Sequence, residues 1–591
     1  MSAETRLNVV LCWHMHQPQY CDMMSGEYQQ PWTYLHAIKD YVDMAAHIEA
    51  VPGAKAVVNF APILLDQLAD YAGQVRGFLR DGKTVRDPLL AALVAVSLPT
   101  DPALCLQLVK ACLRANQERL IDRFPPYKRL AELARWATEH VPSLGYLSDQ
   151  FLVDLLVWYH LAWLGETVRR SDARVRKLIE QGGNYSLRDR RELMAIIGEL
   201  LSSVIDRYAR LAKEGKIEIA VTPYAHPIVP LLLDINAARE ALPEAPLPNL
   251  SAYPGGAERA EWHIREAINS CEQYFGFRPR GCWPSEGGVS TDTLKLLGEH
   301  GFRWAASGET VLFNSIAADA ALKDRSRETL KFHPYRLEGE QLTCFFRDDG
   351  LSDLVGFTYS DWHADDAVAN LIHHLENIVA TDASKRTRST DALDAAQTNP
   401  PGATPDRIVS IILDGENAWE YYPENAYYFL TALYERLAEH PQINLTTFSE
   451  YLDAGHAVPE IRGLVAGSWV YGTFSTWIGD VDKNRGWDML GDAKRMFDEV
   501  TASGRIESEQ LAAAQHQLSI CEGSDWFWWF GDYNPAGSVQ DFDRLFRMHL
   551  ANLYQMLGKE PPEYLAHGFS HGSTGPGPAH GGVMRPGQSG G

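Results

Sequence analysis

The run Arg407-Ile-Val-Ser-Ile-Ile-Leu-Asp-Gly-Glu416 constrains this chain most. Ile408 to Leu413 is a short apolar stretch that stops abruptly at Asp414, Gly415 and Glu416. It reads as a buried strand with acidic residues at its carboxyl end. In parallel α/β folds, strand carboxyl ends are where chemistry is placed. A carboxylate there is poor core material, because burying a charge is costly unless the charge is paired.

The same kind of run recurs along the chain. Strands are expected at Leu7–Trp13, Ala54–Phe60, Ile217–Val221, Gly281–Trp283, Arg303–Ala306 and Cys344–Arg347. Helical spacing of apolar residues separates several of them, at Tyr34–Glu49, Glu258–Phe275 and Thr291–His300. This alternation predicts an α/β fold built as a barrel rather than a sandwich. Residues from about 75 to 215 are mostly helical in pattern, with 151–168 the strongest case, and read as a long insertion in the barrel. Residues 383–406, rich in Pro, Thr and Ser, read as a loop before the Asp414 strand. The barrel is expected to end near 455, with a helical region over 456–566. The Gly-, Pro-, Ser- and His-rich stretch 567–591 cannot bury enough surface to order itself and is expected to be a disordered tail.

The formal net charge of −23 argues against nucleic acid or an anionic membrane as partner, and fits a neutral substrate. No stretch of about 18 apolar residues predicts a membrane span. The N-terminus enters a strand almost at once, without a basic segment and a longer apolar run. No signal peptide and a cytoplasmic location are therefore expected. The eight cysteines include no CxxC pair, and Cys12, Cys282 and Cys344 sit in strand-like contexts, so free buried thiols are expected. Sixteen tryptophans and 25 tyrosines suit either a large aromatic core or platforms for ring-shaped ligands.

Four segments carry candidate chemistry. His14-Met-His16-Gln17-Pro18 follows the first strand and places two imidazoles on one face, suited to hydrogen-bonding a polar ligand. Metal binding is a second use, but no third ligand lies nearby and no HExxH occurs, so no metal and no cofactor are expected. Glu218 lies inside the third apolar run, either ion-paired structurally or in a site, and His226 follows in an Ala-His-Pro turn. Glu286 sits in a Gly-flanked turn after Trp283, beyond another strand. Glu286 and Asp414 on two strand ends make a candidate carboxylate pair, the equipment of glycoside hydrolysis, in which one group is nucleophile or base and the other the general acid. Trp283 and Trp419 stand beside them, suited to sugar faces. Asp353 and Trp362 line the cleft or belong to a surface loop. Asp525-Trp-Phe-Trp-Trp529 reads as packing of the helical region on the barrel rather than sugar binding.

These motifs carry a resemblance. HMHQP, the Glu218–His226 segment, WPSEG and LDGENAWE occur in the order of the motifs of glycoside hydrolase family 57, over roughly residues 7–555. LDGENAWE and residues 467–490 resemble its amylopullulanase and α-amylase branch most. The resemblance implies a retaining α-glucan enzyme on an incomplete (β/α)7 barrel with a helical C-terminal domain. It matches Glu286 to the nucleophile and Asp414 to the acid/base, and His14, His16, Glu218 and His226 to positions lining the donor sugar subsite. Trp469 and Trp477 fall where an aromatic of the helical domain closes the cleft. Glu416 then reads as a supporting ligand or an ion-pair partner.

Retention requires carboxyls about 5–5.5 Å apart. Asp414 must hold a proton while Glu286 is ionised, so its pKa is expected to be raised. The expected activity is hydrolysis of α-1,4 bonds of glycogen, starch or maltooligosaccharides, with α-1,6 bonds as a second target. The alternatives are a 4-α-glucanotransferase or branching enzyme and, from other classes, a metal-dependent deacetylase or a non-catalytic glycan-binding protein.

Overall fold

The computed structural model describes residues 6–320, 322–323, 327–388 and 406–573. Seven parallel strands form its centre: β1 (Leu7–Met15), β2 (Ala56–Phe60), β3 (Ile217–Val221), β4 (Gly281–Cys282), β5 (Trp304–Gly308), β6 (Thr343–Arg347) and β7 (Ile408–Asp414). They pair in chain order, and β7 returns to β1. The ring closes unevenly. β1 and β7 pair over seven residues, whereas β6 meets β7 only through Arg347 and Ser410. The fold is thus a (β/α)7 barrel with a thin seam between β6 and β7.

Strand alternation decides which residues reach the barrel interior. Val10, Cys12, Val57, Ala220, Trp304, Ala306, Phe345, Ile408 and Ile412 pack together in one buried cluster, plugged by Phe448 and Tyr451. The same parity directs His14, Asn59, Glu218 and Asp414 inward. His14 is in register with Asn59 on one side and Asp414 on the other, so three polar side chains meet at the carboxyl end of the barrel.

The helical insertion begins earlier than its sequence pattern, with the helix Pro62–Asp81, and ends with Leu187–Lys213. The apolar stretch 151–168 is two helices, Asp149–Trp163 and Glu166–Ser171, separated at Gly165, whose N–H donates to the Ile38 carbonyl. Three short strands escape a periodicity reading because they span two or three residues: Tyr335–Leu337, Ile443–Leu445 and Glu460–Ile461. The helix Ala364–Arg388 runs into the segment read as a loop from 383, and the rest of that loop, 389–405, lies outside the described residues.

Beyond the barrel, the helices Val481–Ala502, Ser508–Cys521, Ser524–Trp529 and Ala536–Met556 pack together. Residues 567–573, assigned to the tail, are held against them. Ser570 is buried and bonds Asp482 and Gly531, and the Ser573 N–H donates to the Asn534 carbonyl. The remainder of the tail, 574–591, lies outside the described residues. All eight cysteines are buried free thiols. Among the described residues, no helix is long and apolar enough to cross a membrane.

Candidate active site

The strand ends open into a cleft of about 1010 Å³ between the barrel and the C-terminal helices. His14, His16, Gln17, His226, Glu286, Asp353, Asp414, Glu416 and Trp469 line it.

Glu286 is presented by a tight turn, Ser285–Gly287, directly after β4. It adopts φ 58° and ψ 25°, a left-handed backbone that few non-glycine residues hold without support. That support comes from Trp469. Its indole N–H donates to Glu286 Oε2 at 3.0 Å and its backbone N–H to the Glu286 carbonyl at 3.0 Å. His226 is also left-handed, at φ 62°, and brings Nδ1 to 3.9 Å from Glu286 Oε1. The Ser524 side chain hydrogen-bonds the same carboxyl.

Asp414 ends β7, and Asn417 donates to its Oδ2 at 2.6 Å. Gly415 is required just beyond it. Its N–H reaches the His14 carbonyl at 2.6 Å, and a Cβ there would stand 2.1 Å from the Met15 sulfur. Glu416 is buried and takes hydrogen bonds at Oε1 from the His16 backbone N–H at 3.2 Å and from Gln17 Nε2 at 3.1 Å.

Burial raises the pKa of all three carboxyls. Asp414 is pushed up to about 6, chiefly by desolvation. Glu286 and Glu416 are each held well above the usual carboxylate range, first by desolvation and then by the Asp414 charge. Asp414 follows the expectation, but Glu286 departs from it: an isolated nucleophile should be ionised, and here burial favours its protonated form. The Asp414 charge adds to burial in holding the proton on Glu286.

Three histidines crowd beside the pair. His14 Nδ1 lies 2.6 Å from Asn59 Oδ1, and its Nε2 lies 3.1 Å from His226 Nε2. Burial lowers the His14 pKa to about 3 and takes His226 well below its usual value, so both rings are neutral. His16 Nε2 donates to the Asp525 carboxylate, at 2.8 and 3.0 Å from its two oxygens.

His16, His226 and Asp525 have the composition of a metal site, with ligand atoms within 4.8 Å of one another. The geometry does not fit one. The two rings stack with centroids 3.9 Å apart and planes 14° apart, so their in-plane lone pairs run nearly parallel instead of converging on one ion. Their nitrogens facing Asp525, Ser524 and His14 are already engaged in hydrogen bonds.

Five sequence candidates fall outside the cleft lining. Glu218 shares the inward face of His14 but sits near the amino end of β3, the wrong end of the barrel. There it accepts from Trp304 Nε1 at 2.7 Å and from the Ser449 hydroxyl and backbone N–H at 2.6 and 2.9 Å. Trp283 is fully buried beneath the cleft, edge-on to Trp469 with centroids 5.1 Å apart. Trp419 turns inward, donates to the Gly415 carbonyl at 2.9 Å and packs on Trp13. Trp477 is buried against Trp528. Trp362 is half-exposed against Tyr359.

The sequence reading missed Arg347 and misjudged the Asp525 cluster. Arg347 is buried at the end of β6. It donates to the Ile412 carbonyl at 2.8 Å and to Asp349 and Asp353 at 2.8 and 2.7 Å, and its guanidinium lies 5.5 Å from the centre of the Trp469 ring. Trp526 and Phe527 do pack the helices together, but Asp525, Trp528 and Trp529 face the cleft. A buried strand-end arginine followed by two acids was the available signal for Arg347; an acid heading an aromatic run was the signal for Asp525.

A strained buried Glu, a strand-end Asp and a polar, histidine-rich floor thus meet in one cleft. The sequence matches the profile of glycosyl hydrolase family 57 over residues 10–462. The chain belongs to glycosyl hydrolase family 57. Solved structures with the same fold include two family 57 branching enzymes. The one from Thermococcus kodakaraensis has 14% identity, covers 96% of this chain and 92% of its own, and gives a TM-score of 0.55. The one from Pyrococcus horikoshii has 16% identity, covers 95% and 93%, and gives 0.54. The α-amylase AmyC from Thermotoga maritima has 14% identity, covers 95% and 96%, and gives 0.52. These likenesses establish the shared fold. No curated protein matches the sequence. Family 57 membership makes this an enzyme that hydrolyses or transfers glycosidic bonds.

Proposed function

We propose that the protein is a retaining α-glucan hydrolase acting on α-1,4 bonds, with Glu286 as nucleophile and Asp414 as acid/base. The observation that carries this reading is the meeting of two buried carboxyls from different strand ends in one cleft, where the Asp414 charge raises the proton affinity of Glu286. Glu286 attacks the anomeric carbon as the glycosidic bond breaks, and Asp414 gives its proton to the leaving oxygen. Water then releases the glycosyl-enzyme, returning its proton to Asp414. His14, His16 and Gln17 line the part of the cleft beside the two carboxyls. Trp469 holds the attacking carboxyl in its strained turn.

Incubation with amylose, pullulan, glycogen and maltooligosaccharides, followed by NMR of the first-formed anomer, tests the reading. The expected products are shorter α-anomers, and Glu286→Gln and Asp414→Asn should each nearly abolish turnover. A β-anomeric product, or substantial activity in Glu286→Gln, refutes the assignment.

Transfer to a sugar acceptor is the second reading, and one feature favours it. Tyr20, Trp528, Trp529 and Phe542 make an aromatic wall along the cleft. Such a wall can seat an acceptor sugar and keep water from the glycosyl-enzyme. Longer oligosaccharides among the products identify a transferase; reducing ends without elongation identify a hydrolase.

A further inference from the structure

His226 and Asp525 reach the cleft from two turns that belong to different parts of the fold. Residues 222–226 follow β3 of the barrel, and residues 522–525 follow the helix Ser508–Cys521 of the C-terminal region. The turns meet directly. The Ser524 backbone N–H donates to the His226 carbonyl at 2.9 Å, and His16 Nε2 lies 2.8 Å from Asp525 Oδ1. A Cβ on Gly523 would stand 3.0 Å from the Ala225 carbonyl oxygen, so the approach leaves little room for a side chain.

One buried ring stands behind both turns. His263 lies on the helix Gly256–Phe275 and is fully buried. Tyr224 and Ala225 lie past the end of β3, and His263 accepts both of their N–H groups. Its backbone carbonyl takes that of Tyr224 at 3.0 Å, and its ring Nδ1 takes that of Ala225 at 3.3 Å. Burial lowers the His263 pKa, so the ring is neutral at pH 7. A neutral ring that accepts at Nδ1 carries its proton on Nε2. That nitrogen lies 2.8 Å from Glu522 Oε2, at the start of the second turn.

Glu522 is itself anchored. Arg259 donates to it from Nε at 2.9 Å and from a second nitrogen at 2.8 Å, and the Tyr253 hydroxyl donates at 2.6 Å. Burial alone would raise its pKa, but the Arg259 charge and the His263 hydrogen bond outweigh that penalty and hold the carboxyl at about 2. It is therefore an ionised acceptor at neutral pH.

We infer that His263 is a positioning residue that sets the spacing between the turn of His226 and the turn of Ser524 and Asp525. Packing this helix on the barrel needs only apolar volume, and a buried imidazole is costly unless its polar ends are used. Here one end holds the barrel turn and the other holds the C-terminal turn through Glu522. The bridge therefore registers the acid of the C-terminal helices against the histidines of the barrel, beside Glu286. Its effect on turnover rests on the reading of Glu286 as nucleophile.

Two measurements test the bridge. The first is steady-state kinetics well below the melting temperature of each variant. His263→Phe keeps the bulk of the ring and loses both polar ends. It should lower kcat about 10- to 100-fold with little change in KM, the scale of misplacing reacting groups by up to about 1 Å. His263→Gln, whose amide can still donate to Glu522, should recover part of that loss. Ile268→Ala, buried on the same helix, controls for lost stability and should keep the parental kcat. Equal kcat losses in His263→Phe and Ile268→Ala, or no recovery in His263→Gln, overturn the proposal. The second is hydrogen exchange of the full-length protein read by mass spectrometry, which needs no substrate. His263→Phe should speed exchange in both segments 222–226 and 522–526 more than Ile268→Ala does. Parental protection of either segment in His263→Phe overturns the proposal. If the protein cleaves no α-glucan, the nucleophile reading fails, and the exchange measurement still decides the bridge.

Discussion

Trp469 grips Glu286 twice, through the indole N–H at Oε2 and through the backbone N–H at the carbonyl, both at 3.0 Å. A residue beyond the last barrel strand thus sets the direction of a side chain presented by β4. A hydrogen bond to a carboxylate is worth about 1.5–3 kcal/mol. Trp469→Phe keeps the ring over Arg347 and loses the donor. It should lower kcat about 10- to 100-fold with little change in KM or melting temperature. Steady-state kinetics on maltooligosaccharides beside a thermal melt separate this from a folding defect. An unchanged kcat dismisses the indole bond as a catalytic support.

The pH dependence follows from the sign of the Asp414 shift. A general acid works only when protonated, and burial holds Asp414 near 6. Activity should therefore fall on the basic side as pH rises through that value or above it, since ionising Glu286 pushes Asp414 higher still. The linkage to stability has the same direction. The folded pKa exceeds the unfolded one, so the contribution is fully present below the unfolded pKa and is lost as pH rises through the folded pKa. Asp414→Asn, which cannot ionise, should melt at a higher temperature than the parent at pH 8 and show a smaller gain at pH 4. Equal melting shifts at both pH values would exclude a buried, perturbed carboxyl.

How much of this was legible depends on sequence distance. The strands β1 and β7 are largely apolar runs, and His14 and Asp414 at their carboxyl ends reach the cleft as expected. Parity and end together decide a site, and the sequence displays parity more clearly than end. Glu218 has the right parity and the wrong end. Aromatics near a motif carry no direction of their own, which is why Trp283 and Trp419 turn into the core. The contact of His16 with Asp525 joins residues 509 apart. No local pattern reveals it, because it depends on how the C-terminal helices seat on the barrel.

The placement of Glu218 makes a prediction that separates it from the cleft residues. Its carboxyl satisfies the Trp304 indole and the first turn of the helix Phe448–Asp453, which plugs the barrel. Glu218→Ala strands those donors in the interior and should cost about 2–4 kcal/mol of stability. The folded fraction should keep its parental kcat and KM. Urea unfolding and active-site-normalised kinetics check both halves. A large kcat loss at unchanged stability would return Glu218 to the active site.

Arg347 tests whether the thin seam of the barrel and the catalytic turn act together. It sits where β6 meets β7, and its guanidinium ties the Ile412 carbonyl, Asp349 and Asp353 to the underside of Trp469. Burial already holds Asp349 near pH 6 despite this partner. Arg347→Met leaves that half-buried carboxyl unpaired, at a cost of about 1–3 kcal/mol. The Asp349 pKa then rises further, so the variant should lose stability most steeply as pH climbs above 6. Arg347→Lys restores a charge but not the three-way fan of donors, and should recover stability at pH 8 more than it recovers kcat. Such a split would mean that the guanidinium positions Trp469, and through it Glu286, as well as closing the barrel. Parallel recovery of both quantities would confine Arg347 to the seam.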